Sequence, residues 1–168
     1  YYNHILLALG LAPMSPEDED YAFMHTVDTS LARIIPPELM TRAAAVQGHM
    51  TYNDFIDRMI PEPGLVELLQ SLESLGVRMA VNTNRKNSME LVLERFGLTR
   101  FFCPVMTAAK VARPKPDPEG LRRIVEDWGL PVQELSYLGD SSVDQETTIR
   151  AGVPFWAYRN PDLQAQLH

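Results

Sequence analysis

Three short polar stretches sit after or among apolar runs in this 168-residue sequence. Thr83-Asn84 follows Val77-Arg78-Met79-Ala80-Val81. Lys115 stands inside Arg113-Pro114-Lys115-Pro116-Asp117-Pro118. Gly139-Asp140-Ser141-Ser142-Val143-Asp144 follows Leu135-Ser136-Tyr137-Leu138. A hydroxyl, an ammonium and a pair of carboxylates are the groups needed to hold a phosphoryl group and a magnesium ion. Thr83 and Asn84 can both donate to an anion, and a helix start behind them, capped by Asn87, adds backbone N–H groups. Prolines on both sides of Lys115 stiffen its backbone and restrict where the ammonium points. Of 15 basic residues only Lys86, Lys110 and Lys115 are lysine, so a compact point charge at this fixed place stands out. Asp140 and Asp144 flank a helix start with a Ser142…Gln145 capping box. Oxygen ligands of that kind suit Mg²⁺, which takes one or two carboxylates and keeps several waters. Each stretch alone also has a plainer reading. Thr83-Asn84 could be strand-to-helix turn chemistry, Lys115 a solvated lysine, and Asp144 a complement to a helix dipole.

The elements around them must bring these groups to one place. Residues up to about 60 read as helical: Tyr2 to Gly10, then a helix opened by Ser15-Pro16-Glu17-Asp18 that carries Met24, Val27, Leu31 and Ile34 on one face. Pro36-Pro37 breaks it. A third helix is expected over about Glu38 to Gln47, and a fourth, capped by Thr51, presents Tyr52, Phe55, Ile56 and Met59. Pro61-Glu62-Pro63-Gly64 reads as a connector, dividing the chain into domains 1–60 and 61–168. Beyond it, strands at Val77–Asn82, Cys103–Thr107, Leu135–Leu138 and Val153–Tyr158 alternate with amphipathic helices. Those helices carry Leu65, Leu68, Leu69 and Leu72, then Met89, Val92, Leu93 and Phe96, then Leu121, Ile124, Val125 and Trp128. This alternation predicts an α/β domain with a parallel sheet. In such a sheet ligands bind beyond the carboxyl ends of the strands. Thr83 and Asp140, each just past a strand, therefore share one rim.

Composition narrows the classes. Hydrophobic residues make up 45% of the chain and charged residues 22%, enough apolar material for one core with a small satellite. A net charge of −7 argues against nucleic acid or an anionic membrane as partner. The single cysteine, Cys103, behind Phe101-Phe102, is expected to be buried and inert, and its isolation fits a reducing cytoplasm. His4, His25, His49 and His168 have no metal-ligand spacing, which excludes a zinc site. Gly-x-Ser-x-Gly, Gly-rich phosphate loops and Cys-x-x-Cys are absent.

In their joint order the three stretches resemble motifs II, III and IV of the haloacid dehalogenase (HAD) superfamily, phosphoglycolate phosphatase-like type. The likeness extends over nearly the whole chain: residues from Glu62 onward resemble the Rossmann-like HAD core, and the helical first part resembles its small α-helical cap. It implies a Mg²⁺-dependent phosphatase working through an aspartyl-phosphate on a small phosphorylated metabolite. Thr83 and Lys115 would be catalytic, Thr83, Asn84 and Arg85 would bind substrate, and Asp140 and Asp144 would ligate the metal. His25 is a further substrate-contact candidate. The family's first motif, Asp-x-Asp-Gly-Thr after an apolar strand, is not found; the only Asp-x-Asp, Asp18-Glu19-Asp20, follows Ser-Pro-Glu and reads as a helix start. That strand is the middle one in the family, so the strands ending at Asn82 and Leu138 are expected not to pair with each other. The chain as written is then expected to be inactive, and a longer parent to carry the nucleophile. A catalytically dead binding module, a dehalogenase and a sugar phosphomutase stand as alternatives. Monomer, no nucleic acid and no membrane complete the expectations.

Overall fold

The computed structural model describes residues 1–50, 53–86 and 88–163, apart from the side chains of residues 53 and 54. The chain divides into two compact units, Tyr1–Leu65 and Val66–His168.

The first unit is helical. α1 (Tyr2–Ala8) buries Ile5 and Leu6. These pack with Leu9, Leu31, Ile35 and Ala43 into one apolar cluster. Each fully buried Leu or Ile contributes about 1.5–3 kcal/mol, so this cluster is what holds such short helices together. α2 (Pro16–Met24) opens as the sequence predicts: Ser15 caps it by accepting from the Asp18 N–H, and proline occupies the first turn. Asp18-Glu19-Asp20 is therefore a helix start. Asp18 accepts from Ser15 Oγ at 2.7 Å and pairs with Arg33 at 2.9 Å. The hydrogen bond from Arg33, followed by that from Ser15, holds the Asp18 carboxyl below its usual range.

The helix expected to run through Met24, Val27, Leu31 and Ile34 is in fact two. Backbone at His25 turns extended, and Thr26 caps a new helix, α3 (Val27–Ile34), accepting from the Thr29 N–H. Apolar spacing alone does not register such a break; the Thr26 cap followed by Asp28 in the first turn does. Pro37–Leu39 forms one 3₁₀ turn before α4 (Met40–Gly48), and α5 (Asn53–Ile56) is a single turn. Thr51 and Tyr52 lie outside the described residues.

The second unit carries the strands, all parallel and three residues each: β1 (Val81–Thr83), β2 (Val105–Thr107), β3 (Tyr137–Gly139) and β4 (Phe155–Ala157). β1 pairs with β2, Asn82 opposite Met106; β3 pairs with β4, Leu138 opposite Trp156. The two pairs form separate sheets, so the strands ending near Asn82 and Leu138 are not joined by a ladder, as the sequence predicts. The regular strands are shorter than the apolar runs suggest. Val77 is exposed, while Met79 still accepts from the Cys103 N–H at 2.8 Å ahead of the ladder.

α6 (Leu65–Ser74), α7 (Met89–Arg95), α8 (Glu119–Trp128) and α9 (Ser142–Ala151) alternate with the strands. α7 and α8 pack on β2, and α9 packs on β3 and β4. Leu121, Ile124 and Leu93 are buried as their spacing requires, but Leu68 of α6 is 52% exposed and only Leu69 of that helix is buried. Cys103 is exposed as well, against expectation. Its backbone is what the fold uses: besides the bond to Met79, its carbonyl accepts from Trp128 Nε1 at 3.2 Å. Among the described residues no helix is long and apolar enough to cross a membrane.

α8 approaches β1 and β2 over a glycine. A Cβ on Gly120 would lie 2.6 Å from Asn82 Oδ1 and 3.1 Å from Met106 Cγ. Gly120→Ala should therefore destabilise the fold by about 1–3 kcal/mol, the usual cost of overpacking. Urea denaturation measures this; an unchanged midpoint would show that α8 can lift off the strands freely.

Candidate functional site

A cavity of about 250 Å³ opens at the carboxyl ends of β1, β3 and β4, lined by Lys115, Asp140, Asp144, Asn82 and Tyr137 among others. Three of the residues singled out in the sequence thus meet in one place, and Thr83 follows directly after the lining residue Asn82.

Lys115 arrives on the loop between β2 and α8, and that loop is tightly specified. The Glu119 carboxylate accepts from the backbone N–H of Ala112 (3.1 Å) and of Arg113 (3.0 Å). Arg123, one turn on, pairs with it at 2.6 Å. The Ala112 N–H, outweighing desolvation together with Arg113 N–H and the nearby arginine charges, keeps this carboxyl below its usual value. Asp117 Oδ1 accepts from the Glu119 N–H at 3.0 Å and so starts α8. Asn84 Nδ2 donates to the Lys115 carbonyl at 3.1 Å, tying the loop to the end of β1. The lysine side chain, 13% exposed, reaches Asp144 Oδ1 at 2.6 Å, with Tyr137 Oη 3.4 Å away.

Asp144 is brought there by the start of α9. The cap is Ser141, one residue earlier than the sequence spacing suggests: its Oγ accepts from the Asp144 N–H at 3.1 Å and donates to Asp144 Oδ2 at 2.7 Å. Gly139 makes the approach feasible, since a Cβ there would lie 2.6 Å from the Cβ of Asp144. Burial opposes the charged form of Asp144. The Lys115 charge and hydrogen bonds from Lys115, Ser141 and Tyr137 outweigh it, so the carboxyl stays below its usual value. Tyr137 Oη lies 2.9 Å from Asp144 Oδ1 and 3.1 Å from the Asn82 carbonyl. Burial first, then the Asp144 charge, pushes this phenol well up, so it keeps its proton.

Thr83 Oγ1 accepts from the Arg85 N–H at 3.2 Å. A hydroxyl that accepts there still has its hydrogen to give, and no described residue takes it. Asn84 and Arg85 are half-buried, and the Arg85 carbonyl accepts from the Ala108 N–H at 3.0 Å. Asn87, expected to cap the next helix, lies outside the described residues; Ser88 stands at the N-cap of α7 without a side-chain cap bond. In the helical unit, His25 stacks on Tyr21 with centroids 3.8 Å apart and its Nδ1 is 2.8 Å from the Tyr21 carbonyl.

The two carboxylates expected as metal ligands differ in kind. Asp140 is exposed and lines the cavity, its carbonyl anchored by Asn160 Nδ2 at 2.8 Å. Its carboxylate fits a hydrated divalent cation, which needs only one or two such oxygens. Asp144 has both oxygens engaged, by Lys115 and Tyr137 on one and Ser141 on the other, so in this arrangement it is the partner of the lysine. No cluster of three or more metal-ligating side chains occurs among the described residues. Tyr137, Glu119 and Ser141 are the residues that sequence reasoning missed. Tyr137 was legible only as part of a β-rich run, though period-two alternation puts it on the same face as Gly139.

A model of the family described as haloacid dehalogenase-like hydrolase matches residues 1–158. A phosphoglycolate phosphatase of Agrobacterium fabrum is 28% identical over 165 residues, which is 90% of this chain and 69% of that protein. One from Rhodobacter capsulatus is 29% identical over 181 residues, covering 99% of this chain and 80% of its own length. The crystal structure of a HAD-superfamily hydrolase of subfamily IA, variant 1, from Geobacter sulfurreducens PCA aligns with a TM-score of 0.82 and 35% identity, over 98% of this chain and 81% of that one.

Removing one partner of the largely buried Lys115–Asp144 pair should be costly. Lys115→Met is expected to destabilise the chain by about 3 kcal/mol at about pH 7. Asp144, its value held low, contributes stability above the ordinary 3.8 that is lost as pH falls through the lower folded value. In the variant, burial is left with less opposition and the carboxyl value moves up, so its penalty grows with pH. The gap between the two proteins should therefore close as pH drops through about 4. Denaturant titrations across that range check it; a gap independent of pH would place the cost elsewhere.

Proposed function

The chain belongs to the haloacid dehalogenase-like hydrolase family, and from that premise we propose that it carries the phosphoryl-binding and metal-binding part of a Mg²⁺-dependent phosphatase for a small phosphorylated metabolite. The observation that carries this reading is the convergence of Lys115, Asp140 and Asp144 on one cavity at the strand ends. The phosphoglycolate phosphatase names of the two bacterial relatives support the choice of phosphate ester over halide or sugar isomer.

In this reading the Thr83 hydroxyl donates to a phosphoryl oxygen. Lys115 neutralises the charge on the transferring group, worth most in a site shielded from water. Asp144 and Tyr137 hold the ammonium in place, and Asn84 acts by fixing the loop through the Lys115 carbonyl. Asp140 would hold the metal, which when bound supplies positive charge beside the phosphoryl oxygens and helps orient them. Arg85 stands next to the anion site. The helical unit serves as the cap, with His25 a candidate for substrate contact. The protein works as a monomer in the cytoplasm, without nucleic acid or membrane.

The covalent step needs a nucleophilic carboxylate. Asp18 and Asp20 belong to the start of α2, and Asp18 is committed to Ser15 and Arg33. We assign the nucleophile to an Asp-x-Asp segment entering between β1 and β3, where no ladder joins them. Residues 1–168 alone should then release no phosphate from p-nitrophenyl phosphate, even at saturating Mg²⁺. A chain extended by the residues encoded ahead of Tyr1 should hydrolyse it slowly and at least one metabolite faster. In that longer chain Asp140→Asn should lower kcat by about tenfold or more. Turnover by the 168-residue chain would contradict the assignment. An extended chain that binds phosphate without turnover would instead mark a binding module.

A further inference from the structure

The Tyr137 hydroxyl has one hydrogen and three polar neighbours. The Asn82 carbonyl of β1 is 3.1 Å away, Asp144 Oδ1 2.9 Å and Lys115 Nζ 3.4 Å. Those neighbours belong to the far strand pair, to α9 and to the β2–α8 loop. Because Val81 donates to Pro104 on the β2 side, Asn82 presents its carbonyl on the opposite edge, toward β3. A phenol on β3 thus meets a strand edge that no ladder covers. Its ring is fixed against Phe155 of β4, centroids 6.5 Å apart, and Phe155 is fully buried.

We infer that Tyr137 is a positioning residue: its hydroxyl sets where the Lys115 ammonium stands, by holding the Asp144 oxygen that the lysine grips. A hydroxyl can donate once and accept twice. Donating to Asp144 or to Asn82 leaves its lone pairs facing the Lys115 N–H groups, so carboxylate, phenol and ammonium close into one small network. Without the hydroxyl, among the described residues Asp144 Oδ1 keeps only the lysine, and the lysine ammonium keeps only Asp144. The ring, and with it the packing on Phe155, is unaffected. The inference rests on the phosphatase reading for what the ammonium is for, and it is carried by the Asp144 and Lys115 contacts; a segment entering between β1 and β3 would take the Asn82 carbonyl from the phenol but leave those two, and neither depends on turnover.

The test uses the 168-residue chain and Tyr137→Phe. With only three lysines, Lys115 can be assigned in ¹⁵N side-chain ammonium spectra by replacing Lys86 and Lys110 with arginine in turn. Hydrogen exchange of the Lys115 ammonium should be about threefold to tenfold faster in Tyr137→Phe, the range for one hydrogen bond lost from the network. Lys110, paired with Glu90 outside the network, should not change. An unchanged Lys115 rate in a folded variant would overturn the inference and reduce Tyr137 to a packing residue. The unsubstituted chain gives a check that no folding defect can spoil. Its Tyr137 hydroxyl hydrogen should exchange slowly enough to be seen as a separate resonance, and exchange as fast as that of Tyr158 would also overturn the inference. Should the network respond as expected while an extended chain releases no phosphate, the positioning role stands and the phosphatase reading falls.

Discussion

One ion pair organises the second unit of this chain: Lys115 against Asp144, at 2.6 Å and largely out of water. Two charges taken from solvent into a partly buried place are costly unless each is fully matched. The surrounding structure supplies the matching. Ser141 and Tyr137 satisfy the carboxylate, the Glu119 clamp and Asn84 fix the lysine's main chain, and Gly139 permits α9 to come near enough. The glycine at 139 follows from the close approach that brings Asp144 to the lysine beside the strand ends.

That approach also explains where polarity is tolerated. α9 buries Thr147 and Thr148 completely, yet both hydroxyls donate to carbonyls of their own helix, to Val143 and Gln145. Buried polar groups with such local partners cost little. The helix can therefore face β3 and β4 with small side chains and bring its first turn close to the site. Gly120 does the same for α8 against Asn82. Gly120 and Gly139 each mark a close approach that a methyl group would prevent.

The parallel α/β order and the interruption between the strands ending near Asn82 and Leu138 were legible in the sequence. Periodicity and turn chemistry carry the order of elements; the interruption is what the family resemblance implies. The break at Thr26 was not read, because two helices on one face keep the same apolar spacing across a cap. The apolar neighbours of Cys103 say where the chain goes in, not which way its own side chain points, and that side chain is exposed. The role of Asp144 as a lysine partner, and that of Tyr137, depend on contacts between residues 29 and 55 positions apart, respectively, which no local pattern encodes.

We propose that these strand ends form an anion site built around Lys115. Titration of inorganic phosphate into the ¹⁵N-labelled 168-residue chain, with Mg²⁺ present, tests it most directly. Saturable shifts are expected at the amides of residues 83–85 and around Asp140, together with the Lys115 ammonium, and they should be lost in Lys115→Met. Saturable shifts confined to residues 1–65, or none at all, would contradict it.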